Sequence, residues 1–489
     1  MDTIFYIKDL RKVDGSKLVA ISYLILFSAF PVAAQQVLGL WISNYGGLYR
    51  AMHNPSVLGS SRYKWQVNLA TTGSTINNRY FIFFGKSSFL YPLKVPHSTD
   101  ELYGQSRTMG SITQSDPLYV ASEVRWPSAM VSIGKDHGLA LQFRSRGMVQ
   151  GHNIPEAIRT LYYRRLDSPN TPVAAGEWGS FDLSQQSFSE ASLSYGVQLL
   201  DFKSHKLKVG ATLKRVFGAR VGYLKASADR YEIRPLAGGM EDEKELRLTN
   251  LIYEAGYSYP NENLSVGDLF DASKYGAGWG YDLGVTYELG SYWDRLKEDD
   301  DARPGYLIRL SASITDVGAI QYKSTDGRVV SGQQSATVLR QSALETLGDR
   351  GADGFISLFP TQTSAALTQD AQLPTAVHLG ADVQLIKSFF VNVAQTRYQQ
   401  PASYSPINLT QPDLFMITPR FENEDSGFSL PLTFIKGNNR VSVGAMARFG
   451  PLHVGFSNIT GLLNRKDPDA NRATFMYVGF SVWRFKDRG

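Results

Sequence analysis

Seven histidines are the first places to look for chemistry, because a neutral imidazole is a base, a proton shuttle and a metal ligand near neutral pH. His53, His97, His137, His152, His205, His378 and His453 lie far apart, and none makes the His-x-x-x-His or His-Glu-x-x-His spacing of a helical metal site. His453 has a hydroxyl nearby at Ser457, the pairing a hydrolase nucleophile requires, yet a lone strand histidine is ordinarily a hydrogen-bonded side chain. The chain has no cysteine, which excludes thiol chemistry, disulfides and lipid attachment at a processed cysteine. The runs Glu241-Asp242-Glu243 and Glu298-Asp299-Asp300-Asp301 carry charge enough for a divalent cation. They lack the alternating oxygens and the glycine of a calcium loop, and read as solvated surface. No catalytic, cofactor or metal site is expected, and the chain reads as a non-enzyme.

A second set of chemical residues is charged and set into alternating apolar segments. If the alternation marks strands, Asp282, Thr286 and Glu288 share one face, and Arg144, Lys208, Lys214, Arg309 and Arg448 occupy the same face of their own strands. Enclosed together, opposite charges pair into a structural network; left wet, they line an aqueous path.

The elements that must position them alternate with a period of two. Val441, Val443, Ala445, Ala447 and Phe449 share one face, with Ser442, Gly444, Met446 and Arg448 on the other. Leu452–Phe456 and Met476–Trp483 repeat the pattern, and Ala129–Ile133 with Leu139–Phe143 makes a hairpin across Gly134–Gly138. Further strands are read near Lys64–Ala70, Tyr80–Phe84, Ser189–Leu199, Leu207–Arg215, Tyr281–Leu289, Tyr306–Thr315, Thr375–Leu385, Phe389–Tyr398 and Phe428–Phe434. Val443, Leu141 and Val478 are expected to face lipid. The stretches Ser87–Asp116, Val149–Ser180 and Lys323–Gln372 read as long loops, the last holding an amphipathic helix over Ala336–Leu347.

The N-terminus reads as an export signal. Lys8, Arg11, Lys12 and Lys17 precede an apolar core from Leu18 to Phe27, and Val32-Ala33-Ala34 supplies the small residues of a cleavage site after Ala34. Beyond it no uncharged apolar stretch approaches the length of a helical span. Mean hydropathy of −0.21 with 12% aromatic residues suits strands wetted on one face. Basic and acidic residues are interspersed, so the net charge of +5 does not point to nucleic acid. An exported chain with so many adjacent hairpins hides its edges most simply by closing in a bilayer.

Asn54-Pro55-Ser56 after Gly46-Gly47-Leu48-Tyr49-Arg50 resembles the Asn-Pro-Ala turn of FadL-like barrels, with Ser56 for Ala; as bare chemistry, Pro55 simply holds Asn54 extended and fixes a turn. With Gly278–Val285, Ser311–Gly318, Leu373-Pro374-Thr375, Thr418–Glu422 and Gly450–Gly455, the chain is similar to an uncharacterised family of Bacteroidota outer-membrane barrels. The resemblance covers almost the whole mature chain. It implies an all-β transmembrane antiparallel barrel of about fourteen strands with an N-terminal segment in the lumen. One departure is that Phe485 is followed by Lys486-Asp487-Arg488-Gly489, where many such barrels end on an aromatic residue. The expected organisation is a signal over 1–34, a lumen or plug segment over 35–62 and the barrel with long extracellular loops over 63–489. Two functions follow. An obstructed barrel, similar to PorV, would serve a transport, secretion or assembly complex with protein partners; a FadL-like barrel would pass hydrophobic or small solutes. Either needs outer-membrane lipid around it and no cofactor.

If the signal reading holds, the mature protein begins at Gln35. Intact mass of membrane-derived protein checks this, and retention of Lys8 to Lys17 would refute it.

Overall fold

The computed structural model describes residues 39–77, 81–83, 106–108, 118–158, 166–167, 171–202, 204–239, 243–258, 265–290, 306–343, 363–400, 406–407, 409–436, 441–459 and 473–486. The expected signal, both acidic runs in greater part, and most of Ser87–Asp116 lie outside these residues.

Strands follow in chain order as β1 (Tyr63–Asn77), β2 (Phe81–Phe83), β3 (Ser106–Thr108), β4 (Leu118–Arg125), β5 (Ser128–Ile133), β6 (His137–His152) and β7 (Ala174–Phe202). Next come β8 (His205–Pro235), β9 (Lys244–Tyr257), β10 (Gly276–Leu289), β11 (Ile308–Leu339), β12 (Thr363–Gln372), β13 (Ala376–Ile386) and β14 (Phe389–Tyr398). The last are β15 (Leu414–Glu422), β16 (Ser426–Ser429), β17 (Leu432–Ile435), β18 (Val441–Val443), β19 (Ala445–Phe449), β20 (Leu452–Phe456) and β21 (Ala473–Phe485). Apart from the small β2–β3 ladder they form one antiparallel sheet of nineteen segments. β1 pairs with β21 along one edge and with β4 and β5 along the other, so first and last strands meet and the sheet closes into a ring.

There are more segments than the expected strands because several are collinear pieces of one stave. β5 and β4 face successive parts of β1 across Trp126-Pro127, where proline withholds an N–H from the ladder. β10 and β9 lie end to end between β8 and β11, and β13 and β12 both pair with β11. Leu430-Pro431 divides β16 from β17, and Gly444 divides β18 from β19.

Tight turns gather on one rim, where backbone bonds link neighbours: Gln198 N–H to Asp136 O, Gly290 to Ser204, Glu422 to Ser388 and Gly450 to Asp425. Away from that rim β8 continues for 31 residues and β11 for 32. At about 3.3 Å per residue such strands reach roughly 100 Å, about three times the apolar thickness of a bilayer. This corrects the loop readings. β6 runs to His152 and β7 begins at Ala174, while β11 and β12 occupy both ends of Lys323–Gln372. The helix expected over Ala336–Leu347 is corrected in its first turn: Ala336–Leu339 completes β11 in register with Leu246–Thr249, Gln341–Ala343 is helical, and 344–347 lie outside the described residues. A stripe of Val338 and Leu339 suits either period; pairing with β9 decided it.

Polarity is inverted relative to a soluble barrel. Leu141, Leu193, Leu213, Leu283, Val285, Leu310, Val454 and Val478 face outward and exposed, while their neighbours Gln142, Ser192, Thr212, Asp282, Thr286, Arg309 and His453 are buried. Val443 is half-buried. An exposed apolar belt around a polar interior is the arrangement a closed sheet takes in lipid. Among the described residues no helix is long and apolar enough to cross a membrane.

Leu283 is 59% exposed, level with the middle of the short-turn half. Leu283→Arg should cost about 2–4 kcal/mol of barrel stability near the bilayer midplane. Urea unfolding from lipid vesicles measures it; a cost under a tenth of that would refute the assigned face.

Candidate functional site

Residues 39–62 lie inside the ring and bond to strands on every side. Tyr49 Oη donates to Asn68 Oδ1 at 2.5 Å and lies 3.1 Å from Ser481 Oγ, reaching β1 and β21. Leu48 N–H donates to Gln66 Oε1 (2.8 Å), and Leu48 O accepts from Gln142 Nε2 (3.0 Å) of β6. Ser43 Oγ donates to Glu422 of β15 at 2.5 Å, and Arg309 of β11 donates to Ile42 O at 3.0 Å.

Asn54-Pro55-Ser56 is the tightest part of this docking. Asn54 is extended and caps the short helical turn Pro55–Leu58: its Oδ1 accepts from Ser56 N at 3.0 Å and from Ser56 Oγ at 2.6 Å. Its Nδ2 donates across to Val285 O at 3.1 Å, and Ser56 Oγ meets Thr286 Oγ1 at 2.7 Å. Proline, lacking an N–H, costs nothing at the start of the turn. The wall opposite is a row of glycines in register on four strands, Gly138, Gly196, Gly210 and Gly284. A Cβ on Gly196 would stand 2.6 Å from Pro55 O, one on Gly210 would meet Pro55 and Ser56 backbone, and one on Gly284 would overlap Asn54. Backbone therefore rests on backbone. Sequence reasoning missed this row, although Gly196, Gly210 and Gly284 each break an alternating strand on its inner face.

The strand charges singled out in the sequence are all buried, and the ring brings six of the seven into ion pairs. Lys214 bridges Asp282 (2.8 Å) and Asp316 (2.6 Å), Arg144 meets Glu190 (2.5 Å) and Glu123 (3.3 Å), and Lys208 meets Glu288 (2.9 Å). Arg309 pairs with Asp382 (2.9 Å), which also holds Arg420 (2.6 Å). Arg448 has no carboxylate partner among the described residues; it donates to the carbonyls of Glu424 (2.8 Å) and Ser426 (3.1 Å) and lies 4.9 Å over the Tyr45 ring. Several of the charges missed in the sequence lie two residues from another on one face, as Glu123 and Arg125, Arg146 beside Arg144, or Arg420 and Glu422. That spacing was the available signal. Asp316 is aimed by a bulge: its φ is 59°, its N–H donates to Asp282 Oδ1 at 2.7 Å, and the ladder shifts register there.

The fold also brings together histidines that the sequence separates. His53 and His378 rings stand edge to face at 5.1 Å, beside Trp41. His453 packs 4.7 Å from Tyr49.

Read along β8 from the tight-turn rim, the inner residues are Lys208, Lys214, Val216, Tyr223 and Ile233; along β11 they are Arg309, Asp316, Ile320, Tyr322 and Val330. The lumen is thus layered: the docked segment, a charged tier, then apolar clusters around Tyr119, Phe188 and Tyr322 and around Trp178, Leu246 and Tyr253. At the tight-turn rim a cavity of about 300 Å³ remains between the segment and the wall, lined by Asn44, Arg50, Arg62, Lys208, Glu288 and Arg309 among others. No group of side chains suited to a metal occurs among the described residues.

A family model described as "Family of unknown function (DUF5723)" matches residues 55–458. No curated protein matches the chain. Similar solved structures include a TodX monoaromatic hydrocarbon channel mutant, at 12% identity and TM-score 0.40, covering 89% of this chain and 94% of that one. The Ralstonia pickettii toluene transporter TbuX is similar at 10% identity and TM-score 0.37, covering 89% and 93%. A Pseudomonas aeruginosa FadL homologue is similar at 10% identity and TM-score 0.37, covering 88% and 91%.

The glycine row makes a graded test. Gly210→Ala should cost about 1–3 kcal/mol by forcing the Pro55 turn off the wall. Gly222→Ala, whose Cβ meets nothing nearer than 3.7 Å, should be almost neutral. Denaturant midpoints compare them; equal tolerance would show that the turn is not seated on the glycines.

Proposed function

The chain belongs to that family of unknown function, DUF5723, and from its geometry we propose that it is a passive channel of the Gram-negative outer membrane, held closed by its own N-terminal segment. The observation carrying this reading is the separate segment seated inside a ring that is polar within and apolar without. A wall alone of this circumference leaves a lumen; here the lumen is filled by chain attached through hydrogen bonds and glycine contacts, which a ligand or partner can displace. Tight turns on one rim and tall strands on the other support an orientation with the segment toward the periplasm. Export through a cleaved signal over 1–34 belongs to the same reading, and so does a plug role for 35–62, with Asn54-Pro55-Ser56 as its anchor.

The paired charges favour a small polar solute over a greasy one, because an apolar ligand gains nothing from a tier of ions. A second reading, a closed barrel serving a secretion or assembly complex, draws on the wall of β7, β8, β9 and β11, which rises further than a pore requires.

In planar bilayers the intact barrel should give little steady conductance, and deletion of Gln35–Tyr49 should raise it at least several-fold. Large stable openings from the intact protein would overturn the plug.

A further inference from the structure

The cavity at the tight-turn rim is unlike the rest of the lumen in its charge. Above it, acids and bases balance: Glu123, Glu190, Asp282 and Asp316 stand against Arg125, Arg144, Arg146 and Lys214. Around the cavity five cationic side chains, Arg50, Arg62, Lys206, Lys208 and Arg309, face one lining carboxylate, Glu288. Asp382 behind Arg309 and Asp201 beside Lys206 raise the acids to three. Two positive charges remain, and they belong to the segment itself. Arg50 and Arg62 have no carboxylate within ion-pair distance among the described residues; Arg62 donates to the Tyr45 hydroxyl at 3.3 Å and lies 5.3 Å over the same ring. Asn44 lines the same cavity, is 7% exposed, and its Nδ2 has no hydrogen-bond partner among the described residues. Ser60, Ser61, Thr286 and Tyr63 add hydroxyls, and Val57 and Met130 are the main apolar lining.

We propose that this cavity is a binding site for a phosphate monoester dianion, taken up between the N-terminal segment and β8, β10 and β11. Two uncompensated guanidinium groups ask for two negative charges, and their planar forks suit an oxyanion with several acceptors; a monocarboxylate satisfies half of that demand. A buried amide donor without a partner is a further point of contact for an oxygen. The volume admits a phosphate and a small polar remainder, and the mouth opens toward the periplasm. Because Arg50 and Arg62 ride on the segment while Lys208, Glu288 and Arg309 belong to the wall, the bound anion links the two. The site stands on its own geometry, whether or not the barrel conducts.

The test is isothermal titration of the folded, full-length mature barrel in non-ionic detergent, with inorganic phosphate at pH 7.5 and constant ionic strength. Saturable binding is expected, with acetate at least about tenfold weaker, and with affinity falling at pH 5, where inorganic phosphate has become the monoanion. Arg50→Gln and Arg62→Gln should each weaken phosphate about tenfold or more. Arg230→Gln, exposed on the far part of β8, should change nothing. Unheated electrophoretic mobility establishes that each variant is a folded barrel. Short-chain phosphatidic acid in the same micelles separates the sources: binding no tighter than inorganic phosphate identifies a soluble solute, and binding tenfold tighter identifies a lipid head group. Absence of saturable binding by either probe, or binding unaltered in folded Arg50→Gln and Arg62→Gln proteins, would overturn the proposal.

Discussion

Every feature of this barrel follows from putting the apolar face of a closed sheet outward. Once Leu141, Leu213, Leu283 and Val478 face lipid, the alternate positions have nowhere to go but in, and whatever is polar there is buried. A buried charge without a partner costs several kcal/mol, so each inward acid requires a base within reach across the ladder. The register supplies it. Lys206 lies opposite Glu288, Glu288 opposite Arg309, and Arg309 opposite Asp382, a row of alternating sign across four strands. The bulge at Asp316 completes the tier above by turning a carboxylate toward Arg146 and Lys214 that a regular strand would have placed elsewhere.

The interior also has to accommodate a length of its own chain, and this is a different problem from pairing ions. A strand wall carrying side chains keeps a neighbour at a distance; the row from Gly138 to Gly284 removes them and lets the Asn54–Ser56 backbone sit against the sheet. Asn54 then uses both ends of its amide, the oxygen to shape its own turn and the nitrogen to hold the wall. A Gln could not do both, since its longer side chain no longer closes on the second residue along.

How much was legible in the chain depended on range. Alternation with period two identified β6, β10, β14 and the terminal strands, and put Arg144, Lys214, Asp282 and Arg309 on the inner face, because that pattern is local. Asn54-Pro55-Ser56 stood out for the same reason. The far half of the wall was not legible: in Ser324–Leu339 both faces are mixed, in Lys244–Tyr257 the apolar residues Leu246, Leu248, Leu251 and Tyr253 turn inward instead of outward, and it is pairing between strands that distinguishes these stretches from loop. Partners such as Arg420 and Glu422 showed only as a spacing of two, since what identifies them is Asp382 and Ser43, distant in sequence. The cavity was beyond reach for the strongest version of that reason. It exists only where the segment carrying Arg50 and Arg62 meets three strands more than a hundred residues further on.

The seam between β1 and β21 joins residues as distant as Tyr63 and Phe485, and a pairing of such span is the slowest to find. The N-terminal segment leads straight into that seam and holds groups on β10, β11 and β15 as well as on both seam strands. Its capture is therefore a matter of timing as much as affinity. A sheet that curls around the segment before sealing encloses it at once, whereas one that seals first leaves it to enter through the rim against a tier of formed ion pairs. The filled barrel is thus favoured when the segment is captured before the seam of β1 with β21 closes.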